Sequence, residues 1–230
     1  MMLVTGASGF IGRHLIAMLK QEQISHEILH GDIVDRENLP KTTINTIIHL
    51  ASIITHRGED DEDALQKVNI GGTRNLIEAY PKAKVIFIST TDVTREHLEI
   101  YAQTKLEAEN MVSENNNNLI IRLPSVFGAG TRQKKLIPLL FEHYLYERKC
   151  IISNNDEREY LYVIECIRNI IAFRNRSGLI TLKGHKVRNY DLDIMIKTLC
   201  DNPESSCPFS EHSGMYQQLY DTMQKQYLIK

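Results

Sequence analysis

The chain has 230 residues, of which 42% are hydrophobic and 24% charged, and its formal net charge is −2. That length holds one substantial domain with a buried core, or one domain with a small appendage. The composition excludes an intrinsically disordered chain, and the near-neutral charge argues against a broad basic face for nucleic acid.

No apolar run reaches the ~20 residues that span a bilayer. The first residues run almost directly into glycines, without a basic or apolar leader pattern. Along the chain, residues 2–4 predict a strand, 11–20 a helix, 28–29 a short apolar strand and 44–50 a buried strand. Residues 64–80 predict a helix stopped by Pro81, 84–88 a strand, 98–113 a helix and 119–121 a strand. The acidic run 59–63 predicts a helix start, where carboxylates meet the positive end of the dipole. The four asparagines 115–118 predict the turn between helix and strand. Such alternation implies βαβ units and an α/β fold with a parallel sheet covered on both faces. From about Pro124 the alternation becomes irregular, as expected of a second lobe completed by a strand at 179–182 and a helix at 191–199. The four cysteines, Cys150, Cys166, Cys200 and Cys207, form no C-x-x-C pair and read as reduced thiols of a cytoplasmic protein. The histidines show no metal-ligand spacing.

Thr5 to Gly12 reads TGASGFIG, between the first strand and the first helix. Gly6 permits a tight turn, Gly9 lets backbone N–H groups approach a pyrophosphate, and Gly12 lets helix and strand pack closely. With Phe10 and Ile11 inside this G-x-x-G-x-x-G spacing, the loop resembles that of the extended short-chain dehydrogenase/reductases, which act largely on nucleotide sugars. Further matches follow in order: His49-Leu50-Ala51-Ser52; Asn69-Ile70-Gly71-Gly72-Thr73; Ser89-Thr90 at a strand end; Tyr101-x-x-x-Lys105; Arg122-Leu123-Pro124 through Gly128; and Arg158-Glu159-Tyr160-Leu161-Tyr162-Val163. The resemblance covers residues 3–165. It implies a Rossmann-type doubly wound parallel sheet over residues 1–123 and a small α/β substrate lobe over 124–230, interleaved with the sheet.

Tyr101 and Lys105, four apart, share one helix face. A free tyrosine is a poor acid–base at neutral pH; a nearby ammonium favours the phenolate and brings proton exchange within reach. The resemblance assigns Tyr101 as the proton donor to a carbonyl, Lys105 as its electrostatic partner and ribose ligand, and Thr90 as the hydroxyl that orients the substrate oxygen, with Thr91 the alternative. It places Gly6, Ser8, Gly9, Phe10, Ile11, Gly12, Arg13, His30, Asp32, Ile33, Leu50, Ala51, Ser52, Asn69, Ser89, Leu123 and Val126 at a dinucleotide. Thr91, Ser125, Arg132 and Arg158 are expected to contact substrate, the arginines at its diphosphate; Lys134 and Lys135 add charge near Arg132.

The dehydratases of the resembled family carry Asp-Glu after the catalytic threonine. Thr91-Asp92 stands there, which argues against water elimination. The segment between Thr90 and Tyr101 is shorter than is usual in that family, and so is the connection from the first helix to residue 44. The latter resembles the 4-ketoreductase subgroups. The expectation is an NAD(P)H-dependent reductase of a nucleotide-activated 4-keto-6-deoxyhexose. A nucleotide-sugar 4-epimerase and a non-catalytic NADP(H) sensor are the alternatives. NADP(H) is favoured over NAD(H), because Leu29-His30 replaces the usual ribose-binding acid and Arg13 offers a charge to a 2′-phosphate. The resemblance also implies a homodimer, with no nucleic acid, membrane or metal.

Overall fold

The computed structural model describes residues 1–54, 61–132 and 134–228. Six parallel strands make the main sheet: β1 (Met2–Thr5), β2 (His26–Ile28), β3 (Thr46–His49), β4 (Lys84–Thr90), β5 (Leu119–Leu123) and β8 (Gly178–Thr181), in the order β2-β1-β3-β4-β5-β8. Every pairing within it is parallel. The parallel α/β sheet expected from strand–helix alternation, and the Rossmann-type plan that the resemblance implies, are observed.

The helices form where apolar spacing demands. In α1 (Phe10–Gln21), Gly12, Leu15, Ile16 and Leu19 recur at helical spacing and are the buried residues. Ile47, Val85 and Phe87 of the sheet join Leu76 of α3 (Gly72–Ala79) and Ala108 and Val112 of α4 (Ile100–Ser113) in one core. Each fully buried aliphatic side chain there contributes about 1.5–3 kcal/mol. The turn 115–118 is as predicted, and its last residue does more. Asn118 Oδ1 accepts Val85 N–H at 2.8 Å while Nδ2 donates to Val112 O at 2.9 Å, stapling β4 to the end of α4.

The expected single helix over 64–80 is instead three segments: α2 (Glu62–Leu65), a π-helical stretch Gln66–Gly71, and α3. Asp61 caps α2 by accepting Ala64 N–H at 3.0 Å. The rest of the acidic run, residues 59 and 60, lies outside the described residues. The widened turn coincides with Asn69 and Gly71, and π turns of this kind concentrate at functional sites.

Two units divide the chain, one of residues 1–123 and 167–182, the other of 124–166 and 183–230. The strand expected at 179–182 to complete the second lobe pairs instead with β5 in the main sheet, Ile120 opposite Leu179. Leu119–Ile121 is a continuous apolar run buried on the sheet, and an edge of that kind is covered by one more parallel strand. The second unit has its own sheet, β6 (Ser125–Phe127), β7 (Glu157–Tyr162) and β9 (His185–Arg188), with β6 and β7 parallel and β7 and β9 antiparallel. Its helices α5 (Leu136–Tyr146) and α7 (Asn189–Asp201) are joined by Tyr144 Oη donating to Asp193 at 2.7 Å. Among the described residues, no helix is long and apolar enough to cross a membrane.

Candidate active site

In a parallel sheet the carboxyl ends of the strands share one edge, and ligands bind where the strand order reverses. Here the reversal falls between β1 and β3. At that edge stand the glycine loop after β1, His30–Asp32 after β2, Leu50–Ser52 after β3 and Ser89–Thr91 at the end of β4.

The loop is built around close backbone approaches. Gly6 has φ +68°, and a Cβ there would lie 2.6 Å from Ala51 N and Leu50 C. A Cβ on Gly12 would come within 2.7 Å of Ala7 Cα and closer still to Gly6 O. Gly9 N–H closes the turn onto Gly6 O at 3.1 Å. Gly9 also occupies the cap of α1, with no side-chain cap and no acidic residue in the first turn. The first N–H groups of α1 thus keep their positive end for an anion. The Ser89 hydroxyl is buried without a hydrogen-bond partner among the described residues. An open helix N-terminus and an orphan hydroxyl on one sheet edge fit a dinucleotide.

Behind the loop runs a hydrogen-bond chain whose direction can be worked out. Thr73 Oγ1 donates its single proton to Asn69 O at 2.6 Å, so at the 2.9 Å contact His49 Nε2–H must donate to Thr73. His49 Nδ1 is then an acceptor, and Thr5 O–H donates to it at 2.8 Å. Thr5 Oγ1 in turn accepts Ala51 N–H at 3.1 Å. Asn69 extends the network to α4. Its Oδ1 accepts from Ser52 Oγ at 3.0 Å and Ile53 N at 2.9 Å, while its Nδ2 donates to Ile53 O at 3.1 Å and Thr104 Oγ1 at 3.0 Å. Thr104 donates to Tyr101 O at 2.8 Å. All of the Asn69 amide's hydrogen-bonding capacity is taken by protein. Its side chain, expected to bind cofactor, instead ties the loop after β3 to the turn of α4 that carries Tyr101.

Tyr101 and Lys105 occupy successive turns of α4. Lys105 is 3% exposed, donates from Nζ to Ile88 O at 2.8 Å, and sits 3.9 Å above the Phe87 ring, a cation–π contact. Sequence reasoning missed the next residue on that stripe. Glu109 is 3% exposed and grips Arg122 of β5 through Oε1 to Nε at 3.0 Å and Oε2 to Nη2 at 2.6 Å. The signal was present: Glu109 follows Lys105 at the spacing by which Lys105 follows Tyr101.

Burial lowers the His49 pKa to about 3, with the Lys105 ammonium adding to the effect. Burial also lowers that of Lys105 to about 7, against an opposing pull from Glu109. Both groups bind fewer protons folded than unfolded, His49 from its folded value up to 6.5 and Lys105 from its folded value up to 10.5. Stability therefore rises with pH through both windows. Cys166, pushed up to about 12 by burial, works the other way above its ordinary value. The urea midpoint is expected to climb from pH 4 to pH 8, and His49 alone should make the fold about 2 kcal/mol weaker at pH 5 than at pH 8. A flat or falling midpoint over that range would contradict burial of a neutral His49.

Thr90 Oγ1 accepts Asp92 N–H at 3.1 Å, which leaves its own proton to donate. The Asp92 carboxylate pairs with Arg95 at 2.6 Å. Thr91 stands beside them, part-buried, at the start of the short 3-10 helix Thr91–Thr94. Ser8, Gly9, Arg13, His30 and Asp32 are exposed, while Phe10, Ile11, Leu50, Ala51 and Ser52 are part-buried. Ile33, expected beside an adenine, is 4% exposed and packs in the core, where a Cβ on Gly72 would meet it at 2.6 Å. Leu123 ends β5 in the first unit. Ser125, Val126, Arg132 and Arg158 belong to the second, with Ser125, Arg132 and Arg158 exposed.

A dTDP-D-glucose 4,6-dehydratase from Dictyostelium discoideum is 23% identical over 86% of this chain and 61% of its own length, so the chain spans about three-fifths of that relative. Among solved structures, MoeE5 in complex with UDP-glucose and NAD superposes with a TM-score of 0.82 at 20% identity, over 97% of both chains. RMD from Pseudomonas aeruginosa, complexed with NADPH, gives 0.79 at 19% identity, over 97% of this chain and 98% of that one. These likenesses establish a shared fold. The family model of NAD dependent epimerases/dehydratases matches residues 2–179, which include the glycine loop and the Tyr101–Lys105 helix, and the chain belongs to that family.

Proposed function

We propose that the protein is an NAD(P)H-dependent reductase of a nucleotide-activated 4-keto-6-deoxyhexose, carried on a UDP or dTDP group and open to 2-acetamido forms. The observation that carries this reading is Tyr101 and Lys105 on successive turns of α4, in one unit with the Thr90 hydroxyl at the carboxyl edge of the sheet and the open N-terminus of α1. When bound, the nicotinamide supplies the hydride to C4. Gly9 and the first N–H groups of α1 would hold the pyrophosphate, Ser89 and Leu50–Ser52 would line the cleft, and exposed Arg13 would meet a 2′-phosphate.

Thr90 donates its free proton to the C4 carbonyl oxygen and orients it. Tyr101 gives up its phenolic proton as that oxygen gains charge. The Lys105 ammonium favours the phenolate that remains. Asp92, the acid nearest the position from which dehydratases of the family drive elimination, is occupied by Arg95, which supports reduction over loss of water. Arg132 and Arg158, exposed on the second unit, are the proposed diphosphate ligands.

The test is loss of reduced-nicotinamide absorbance when purified protein meets NADPH or NADH and a 4-keto-6-deoxy sugar nucleotide. The expected result is substrate-dependent loss, faster with NADPH, and Arg13→Ala should narrow that preference. Coenzyme binding without oxidation of NADPH or NADH by any keto-sugar would overturn the reductase reading. Nicotinamide retained through purification, with interconversion of C4 epimers, would replace it with an epimerase.

A further inference from the structure

We infer that Glu109, held in place by Arg122, is a positioning residue that keeps the Lys105 ammonium charged inside the protein. This inference rests on the reading above, in which Lys105 acts on Tyr101 as a cation.

A buried lysine loses its proton unless something nearby favours the charge, because desolvation penalises the ammonium. The polar and aromatic contacts of Lys105 are neutral: the Ile88 carbonyl and the Phe87 ring. The titratable groups that act on it come from two elements. From β3, His49 stands with its ring centroid 5.4 Å from that of Phe87, and its hydrogen bonds keep it neutral. From α4 itself comes Glu109, one turn further on and equally buried. Of the other charges on packed elements, Lys84 lies at the opposite end of β4, Asp92 is paired with Arg95, and exposed Asp63, Lys67 and Arg74 share a surface cleft with Glu107, not with the buried stripe of α4 that holds Lys105 and Glu109. Glu109 is therefore the counter-charge, and it acts through a low-dielectric interior.

Arg122 makes that counter-charge durable. Its guanidinium takes both oxygens of Glu109, a forked geometry that fixes the carboxylate in place. The sheet register puts Arg122 opposite Ser89, beside the Ile88 carbonyl that receives Lys105. One pair of neighbouring strand positions thus anchors both ends of the charge array, with Lys105 positive, Glu109 negative and Arg122 positive. A purely structural role, fastening α4 to β5, would account for the ion pair but not for any effect on Lys105.

The two roles predict opposite shifts. Loosening the interior admits water and raises the Lys105 pKa toward that of free lysine, whereas loss of a counter-charge lowers it. The experiment is an NMR titration of the full chain labelled with ¹³C-lysine, with the Lys105 signal assigned from Lys105→Arg. Wild-type Lys105 should titrate near 7. In Glu109→Gln it is expected to move down by about one pH unit. An unchanged or raised value in folded Glu109→Gln would overturn the inference.

Should Glu109→Gln fail to fold with an orphaned arginine, the Glu109→Gln/Arg122→Gln double variant leaves no unpaired charge. The same direction of shift is expected there, smaller because a repelling cation is also gone, and no shift or a rise would again overturn the inference. With a turned-over keto-sugar, the alkaline limb of kcat should move with the titration, a loss of about tenfold at pH 8 for Glu109→Gln. If wild-type protein turns over no keto-sugar, the proposed reaction fails while the lysine titration still decides the role of Glu109.

Discussion

Tyr101→Phe should abolish keto-sugar reduction while leaving dinucleotide binding intact. The phenolic proton is the one lost, and general acid–base groups of this kind contribute about 10²–10⁴-fold to rate. The ring stays, so the packing of the first turn of α4 stays. The Tyr101 backbone carbonyl also keeps its hydrogen bond from Thr104, so the tie through Asn69 to the loop after β3 survives. The measurement is kcat by nicotinamide absorbance beside a dinucleotide titration by fluorescence quenching. Turnover within tenfold of wild type would remove Tyr101 from the chemistry. Loss of binding together with turnover would mean that the variant had damaged the site instead of silencing it.

A second large effect is expected at Gly12. An alanine there drives its Cβ into Ala7 Cα at 2.7 Å and onto the Gly6 carbonyl, both backbone atoms of the loop. Backbone on that side cannot turn away like a flexible side chain, so α1 must lift off the end of β1. A clash of this kind costs several kcal/mol, of order 3 or more. Gly12→Ala is expected to lower the urea midpoint sharply and to lose dinucleotide binding. Gly71→Ala is the matched control. Its added methyl meets nothing closer than Gln66 O at 3.9 Å in an otherwise helical backbone, and the change should be neutral or stabilising by about 0.5–1 kcal/mol. Equal behaviour of the two variants would contradict the close approach at Gly12.

These two effects were legible before any coordinates, because their causes are local. Glycine spacing between a strand and a helix reports a turn whose geometry is set within eight residues. The Tyr101–Lys105 interval reports one helix face by the period of the helix alone. Apolar runs also carried five of the six strands of the main sheet, and the asparagine run carried the turn at 115–118. The rest depends on which distant segments meet, and periodicity does not encode partners. The strand at 179–182 looked like part of the second lobe because it follows irregular chain; only pairing with β5 shows that it closes the main sheet.

Asn69 carried the mark of a family motif, but its saturation by Ser52, Ile53 and Thr104 joins groups up to 35 residues apart. The same holds for the interior charges. That Lys105 is held in a low dielectric, that His49 is a neutral link between Thr5 and Thr73, and that Glu109 is clamped by Arg122 are consequences of burial and of cross-strand register. By itself the sequence determined the parallel α/β plan, the glycine loop and the placing of Tyr101 and Lys105 on one helix face. The tertiary structure decided the environment of that pair, because burial, which sets the charge on a lysine, is a property of everything packed around it.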